Sequence, residues 1–235
     1  MGVRRRSLVG AAALLAPLAL LVVPMAAAGA GASAEETLAR LRAVNANLVD
    51  LQASFVHTKE VPLFDEKIVS SGELFFRSPD RLLLRYAEPD SNLVVIGEGE
   101  VWLYYPGLKQ AHRYDIDPES TLPGLFLALR GTIAGLDRNF DVTGEDDVDS
   151  SGAALDVLVL KPKSGTALAD ELREIRVAVR SDDALPVRTE FWERSGDHTS
   201  FIFTRFTRNP SVDATLFEFQ PPEGTEVFEV EGEKW

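Results

Sequence analysis

The sequence predicts a mainly β fold: one curved antiparallel sheet of about eleven strands, covered by short α-helices. Three observations carry that reading. Residues 72–114 hold four short apolar runs, at 74–76, 82–86, 93–96 and 101–105, separated by breaks built from Pro, Asp, Ser, Gly and Glu. Residues 140–207 repeat the pattern with runs at 140–148, 155–160, 172–180, 186–192 and 199–207. Helical spacing is confined to residues 35–51, a broken stretch at 117–133 and a half-turn at 213–216. Strands therefore dominate, and their short connections make them antiparallel.

The chain starts with a segment that reads as a signal peptide, residues 1–34. Arg4, Arg5 and Arg6 form a positive start, an apolar stretch follows from 8 to about 28, and Ala32-Ser33-Ala34 is an A-x-A-like cleavage site. Ala28-Gly29-Ala30 is a second candidate. An uncleaved anchor is the rival reading, because the run is near spanning length; Pro17, Pro24 and the run of small residues suit a signal better. The paired arginines leave a twin-arginine route open. No Cys follows, so there is no lipobox. Residues 35–235 then read as a single exported, soluble, monomeric domain. Loss of the leader removes three arginines and no acids, so the net charge of −13 becomes −16.

Composition excludes several classes. The chain has 235 residues, 45% of them hydrophobic, enough for one packed core. It has no Cys, which removes disulfides, thiol nucleophiles and Cys-based metal sites. The negative charge argues against nucleic acid, and against binding anionic headgroups through charge alone.

Residues 35–51 read as an amphipathic helix: Leu38, Leu41, Val44, Leu48 and Leu51 share one face, with Arg40, Arg42, Asn45 and Asn47 opposite. Ser33 and Glu36 fit a capping box. The first strand, 52–61, carries Phe55, and 62–66 is a wide turn. In the opening block both faces are apolar. Leu82, Leu84 and Tyr86 share one face, and Leu83 and Arg85 the other. A sheet apolar on both sides must cover both or use one for binding. The stretch at 117–133, with Pro123, Gly124 and Gly131 among its leucines, is one or two short helices on that apolar face. Ile175, Val177 and Val179 alternate with Glu174, Arg176 and Arg180, which gives that strand one wet face.

No catalytic constellation appears, and the expectation is a protein that is not an enzyme and uses no cofactor or metal. His57, His112 and His198 lie far apart without ligand spacing and read as structural or solvent-facing. G-x-S-x-G, H-E-x-x-H and phosphate-binding glycine loops are absent. The acids Glu145, Asp146, Asp147 and Asp149 lack the alternation of a calcium loop and read as a solvated turn. What remains is apolar surface, which serves either an ordinary core or a ligand cavity beneath helical lids.

The motifs of the opening block and tail carry a resemblance. G-E-L-F-F-R-S-P-D-R-L from Gly72, P-D-S-N-L-V from Pro89 and V-W-L-Y-Y-P from Val101, followed by Gln110-Ala111, resemble the periplasmic outer-membrane lipoprotein carrier family (LolA-type). Ala53-Ser54-Phe55 is similar to its first strand. Val212-Asp213-Ala214, with the segment from Phe217 to Gly224, is similar to its ending. The resemblance spans most of residues 35–230. It implies an unclosed β half-barrel whose apolar cavity holds the acyl chains of lipoproteins crossing the periplasm. An inner-membrane ABC exporter would load it, and an outer-membrane receptor would unload it. The alternative is a lipid- or lipoprotein-sensing regulatory module on the same half-barrel. Resemblance and alternation together set the lipid-binding candidates: Leu74, Phe76, Leu82, Leu84 and Tyr86 on strands, and Leu125, Phe126, Leu127 and Leu129 on the central helical segment. In the family an Arg directly before the Pro after the second strand closes the lid. Here Ser78 precedes Pro79, so the candidate lid contact is Arg77, one place earlier. A one-residue shift on a strand turns a side chain to the other face.

Overall fold

The computed structural model describes residues 32–115 and 136–230. The leader up to residue 31 and the helical pieces expected at 117–133, with Leu125, Phe126, Leu127 and Leu129, lie outside the described residues. Helix α1 (Ala34–Ala46) begins at the expected capping box: Ser33 Oγ accepts from the Glu36 amide at 3.2 Å, and Glu36 Oε2 accepts from the Ser33 amide at 2.8 Å. The helix stops short of Leu51 although apolar spacing continues, because Asn209 captures the next segment. Asn209 Oδ1 accepts from the amides of Val49 and Asp50 at 2.9 and 3.2 Å. Arg40, expected on the solvent face, turns to the sheet instead. It donates to the Ser181 carbonyl at 2.8 Å and pairs with the buried Asp156 carboxylate.

The strands are β1 (Asp50–Val61), β2 (Glu66–Arg77), β3 (Arg81–Tyr86), β4 (Leu93–Gly97), β5 (Glu100–Tyr105), β6 (Gln110–Asp115), β7 (Phe140–Val148), β8 (Ala154–Pro162), β9 (Leu172–Arg180), β10 (Pro186–Glu193), β11 (His198–Arg208) and β12 (Glu226–Val230). Two short helices, α2 (Leu136–Asn139) and α3 (Ala167–Glu171), interrupt the second half. Among the described residues these twelve strands form one sheet in the order β12-β6-β5-β4-β3-β2-β1-β11-β10-β9-β8-β7. Its outer strands β12 and β7 do not pair with each other, so the sheet is unclosed, as expected. The expected antiparallel pairing holds for β1–β11. Beyond the eleven strands expected, a twelfth lies in the tail and runs parallel to β6, reached by a long C-terminal crossover rather than a hairpin. The acids expected in a turn at 145–147 lie on edge strand β7 instead, and the turn begins at Asp149, which accepts from the Ser151 and Ala153 amides at 2.7 and 3.0 Å.

Each face of the sheet buries a different set. The inner face carries the main core, including Leu51, Phe55, Leu74, Phe76, Leu82, Leu84, Ile175, Val177 and Phe203, with Leu38, Leu41 and Val44 of α1 packed against it. The first turn of α1 lies close over β7 because Gly144 has no side chain: a Cβ there would meet the Ala34 nitrogen at 2.9 Å. The outer face is covered in two ways. Over β7–β10, Leu155, Val157, Val159 and Ala178 form a small buried cluster flanked by ion pairs that include Arg188–Asp147 and Arg176–Glu145. The arginine stems shield such a patch while their heads stay wet. Over β2–β5, a strap at residues 209–219 covers Phe75, Leu83 and Val95 with Val212, Leu216, Phe217 and Phe219. Phe219 lies between Trp102 and Tyr104, at ring distances of 5.4 and 5.3 Å.

The strap is held by one carboxylate. Asp50, 3% exposed, accepts from the backbone amides of Ser211 and Val212, both at 3.1 Å. Its strand partner Arg77 donates to the Val212 carbonyl at 2.7 Å. Replacing Asp50 by Ala leaves the buried Val212 amide and the part-buried Ser211 amide without their charged acceptor. Asp50→Ala is expected to lower unfolding free energy by about 2–3 kcal/mol, read by urea denaturation, and to make residues 209–219 the first site of limited proteolysis.

Candidate functional site

The register aligns the inner-face side chains into rows that cross the sheet. One row runs Ala53, Leu74, Leu84, Val94, Leu103, His112 and Phe228, one residue from each of seven adjacent strands. The next runs Leu51, Phe76, Leu82, Ile96, Val101 and Tyr114. Alternation sends Phe75 and Leu83 into the outer cluster under the strap. The expected facing therefore holds: Leu74, Phe76, Leu82, Leu84 and Tyr86 share one face, with Leu83 on the other.

Toward β11 the face becomes aromatic. Phe55, Tyr86 and Phe201 meet edge to face or tilted, with centroids 5.0 and 5.9 Å from Phe55, and Phe203 stacks on Phe201 at 6.1 Å. Gly72 makes this cluster possible. It sits between Phe55 and Tyr86 in the register, and a Cβ there would fall 2.1 Å from the Arg85 carbonyl oxygen and 2.7 Å from the Phe55 ring. The ring of Phe55 thus lies across bare backbone, where any side chain would displace it.

His57 is the polar member of the cluster. Its ring stacks on Phe201 at 4.3 Å with a 2° interplanar angle, and its Nδ1 lies 3.1 Å from the Tyr86 hydroxyl. Burial is the main cause that pushes this imidazole below its usual value, with Lys59 acting the same way, so it is neutral at pH 7. Burial also pushes the Tyr86 phenol up, which keeps it protonated. The phenol is the stronger donor and the imidazole nitrogen the stronger acceptor, so Tyr86 donates to Nδ1 and Nε2 carries the ring proton. The other histidines have structural partners: His112 stacks on Phe228, and His198 stacks on Trp192 between Glu60 and Glu190. Among the described residues no three His, Asp or Glu side chains gather as a metal site.

Arg77 falls on the outer face and its partner is the strap carbonyl of Val212. The lid contact expected of it involves a segment outside the described residues. Phe55, His57, Phe201 and Phe203, none of them among the sequence candidates, also gather on the inner face. The two-residue spacing of Phe201 and Phe203 was visible; their position opposite His57 and Phe55 depends on pairing between strands about 140 residues apart and had no local signal. No helix among the described residues is long and apolar enough to cross a membrane.

Comparison with known proteins locates this architecture. Residues 46–220 match the family model described as outer membrane lipoprotein carrier protein LolA. A curated outer-membrane lipoprotein carrier protein of Azotobacter vinelandii is 32% identical over 162 residues, 68% of this chain and 72% of the relative. Another, from Alkalilimnicola ehrlichii, is 29% identical over 218 residues, 92% of each chain. Among solved structures, an uncharacterised conserved protein from Thermus thermophilus superposes with a TM-score of 0.51 at 16% identity, covering 84% of this chain and 99% of that one, and shows the shared fold.

The neutral His57 gives the site a pH signature. Its folded-state value lies below the ordinary 6.5, so the unfolded chain binds this proton more readily. The contribution to stability is complete above that value and is lost as pH falls below it. Asp147 and Asp213, held low by Arg188 and by the Thr215 amide, weaken folding in the same direction but only nearer their ordinary 3.8. Between about pH 7.5 and about pH 5.5 the wild type is expected to lose roughly 1–3 °C more in Tm than His57→Leu, measured by thermal melting.

Proposed function

The chain belongs to the LolA family of outer membrane lipoprotein carrier proteins, and from that premise we propose that it is an exported periplasmic carrier. It holds the acyl chains of lipoproteins on its inner face while they cross between membranes. The observation that supports this most is the unequal covering of a sheet apolar on both sides. The outer face over β2–β5 is sealed by the chain's own strap, whereas half-buried Tyr86, Val94 and Val101 fringe the inner core and Leu103 joins the Val94 row. The regulatory alternative gains nothing from the family model or the two curated relatives, all described as carriers.

The energetics suit a carrier. Moving a sixteen-carbon chain out of water releases about 12 kcal/mol, and a bilayer offers much the same. Exchange between protein and membrane is then nearly balanced, and direction comes from partners: an inner-membrane ABC exporter that loads and an outer-membrane receptor that binds more tightly. The carrier acts as a monomer and no side chain has to do chemistry. Cleavage of the leader at 28–30 keeps Ser33 and the helix cap, whereas cleavage after Ala34 removes it.

Leu82 and Leu84, 1% and 4% exposed, are so deeply packed that a charge there attacks the fold. Neighbours on β4 separate binding from folding. Val94 faces inward and Leu93 faces the strap, both half-buried. Val94→Glu is expected to weaken binding of a fluorescent fatty-acid probe by at least about tenfold with little loss in Tm. Leu93→Glu should lower Tm and leave affinity within about twofold. The carrier reading fails if the wild type binds no probe and organic extraction of protein from cell envelopes yields no acylated species by mass spectrometry.

A further inference from the structure

The inner face is not uniformly apolar. His57 stands in a cross-strand row that runs Leu158, Val177, Thr189, Phe201, His57 and Ser70. Ser70 donates to Asp90 at 2.8 Å, but two groups in this row keep a free donor. Thr189 is fully buried and its hydroxyl has no partner among the described residues. The Nδ1 of His57 is engaged by Tyr86, and its Nε2–H has no partner among the described residues. The ring is half-buried, so water satisfies this donor in the free protein; an acyl chain that covers the face displaces that water, and the donor then needs an acceptor from the ligand. The ring cannot swing away to water without losing its stacking on Phe201 and the Tyr86 hydroxyl.

We propose that this row is a polar anchor for the carbonyl oxygen of a bound acyl ester, with His57 Nε2–H as the donor and Tyr86 fixing the ring. The proposal rests on the carrier reading and refines it. A purely apolar face cannot fix how far an acyl chain slides in, because one methylene exchanges for the next at no cost. A single donor sets the depth, because the chain has one carbonyl, next to its head. A neutral acceptor suits a neutral imidazole, whereas the Thr189 hydroxyl, two strands away across Phe201, is fully buried and out of a ligand's reach. Lys59, further along the same strand face, is engaged with Glu193 and Asp197 at 4.0 and 3.7 Å. Lys59 is therefore not an unopposed cation that would select a free carboxylate instead.

The experiment uses displacement of a fluorescent fatty-acyl probe from the full chain by methyl palmitate and by hexadecyl methyl ether, which lacks the carbonyl. Wild type is expected to prefer the ester by about fivefold relative to His57→Leu, which should treat the two alike. His57→Gln, which keeps an N–H donor, should recover part of the preference, and Tyr86→Phe, which frees the ring, should lose part of it. Thermal melts accompany each variant; should His57→Leu fail to fold, the Tyr86→Phe result decides. The same comparison with a dipalmitoylated cysteine peptide and with phosphatidylethanolamine tells a lipoprotein anchor from a glycerophospholipid. Equal displacement by ester and ether in the wild type, or an unchanged preference in the folded variants, overturns the anchor while leaving the carrier reading intact. Absence of probe binding to wild type removes the carrier reading and the anchor together.

Discussion

Everything in this structure depends on a sheet whose central strands are apolar on both sides. With a two-residue period, Leu82-Leu83-Leu84 and Phe75-Phe76 must place large apolar groups on opposite faces, and each face needs a cover. The chain supplies one cover itself. The strap at 209–219 seals the outer face, and Asp50 and Arg77 bind it at the point where β1 and β2 pair. With that side sealed from within, the half-buried fringe of the inner face is the surface proposed to meet the acyl chain.

The inner face is shaped by absence as much as by bulk. Gly72 removes a side chain where Phe55 must cross the sheet, and that crossing brings Tyr86 and Phe201 around His57. The result is a mainly apolar face on which the His57 ring is held in place by two neighbours. Apolar burial supplies affinity without preference for position, whereas a directed hydrogen bond adds position at little cost in exchangeability. A carrier needs both properties, since it must hold its cargo and also give it up.

Much of this was legible in the sequence because it is local. Strand positions, the Ser33–Glu36 cap, the facing of Leu82 against Leu83 and the family expected from the motif order all follow from spacing within short stretches. What escaped is non-local. The apolar spacing past Ala46 continued the helix on paper, but Asn209 pulls residues 49 and 50 into a strand. Arg40 reads as a surface residue until Asp156, far along the chain, is placed beside it. His57 looks like any isolated histidine, because Tyr86 and Phe201 reach it only through pairing across β2 and β11. Strand β12 follows a turn at 222–225, but its partner β6 lies more than a hundred residues back and pairs with it in parallel, which no local pattern announces.

The central claim is that cargo lies on the inner face. A palmitate analogue with a photoreactive diazirine at the chain end tests it directly: bind it to the protein, irradiate, digest and map the adducts by mass spectrometry. The account expects adducts on half-buried inward-facing residues such as Tyr86, Val94, Val101 and Leu103, all removed by competition with unlabelled palmitate. Adducts concentrated on Trp102 beneath the strap or on Leu216 and Phe219 of the strap itself, or on the exposed hairpin residues Leu63 and Phe64, would contradict it.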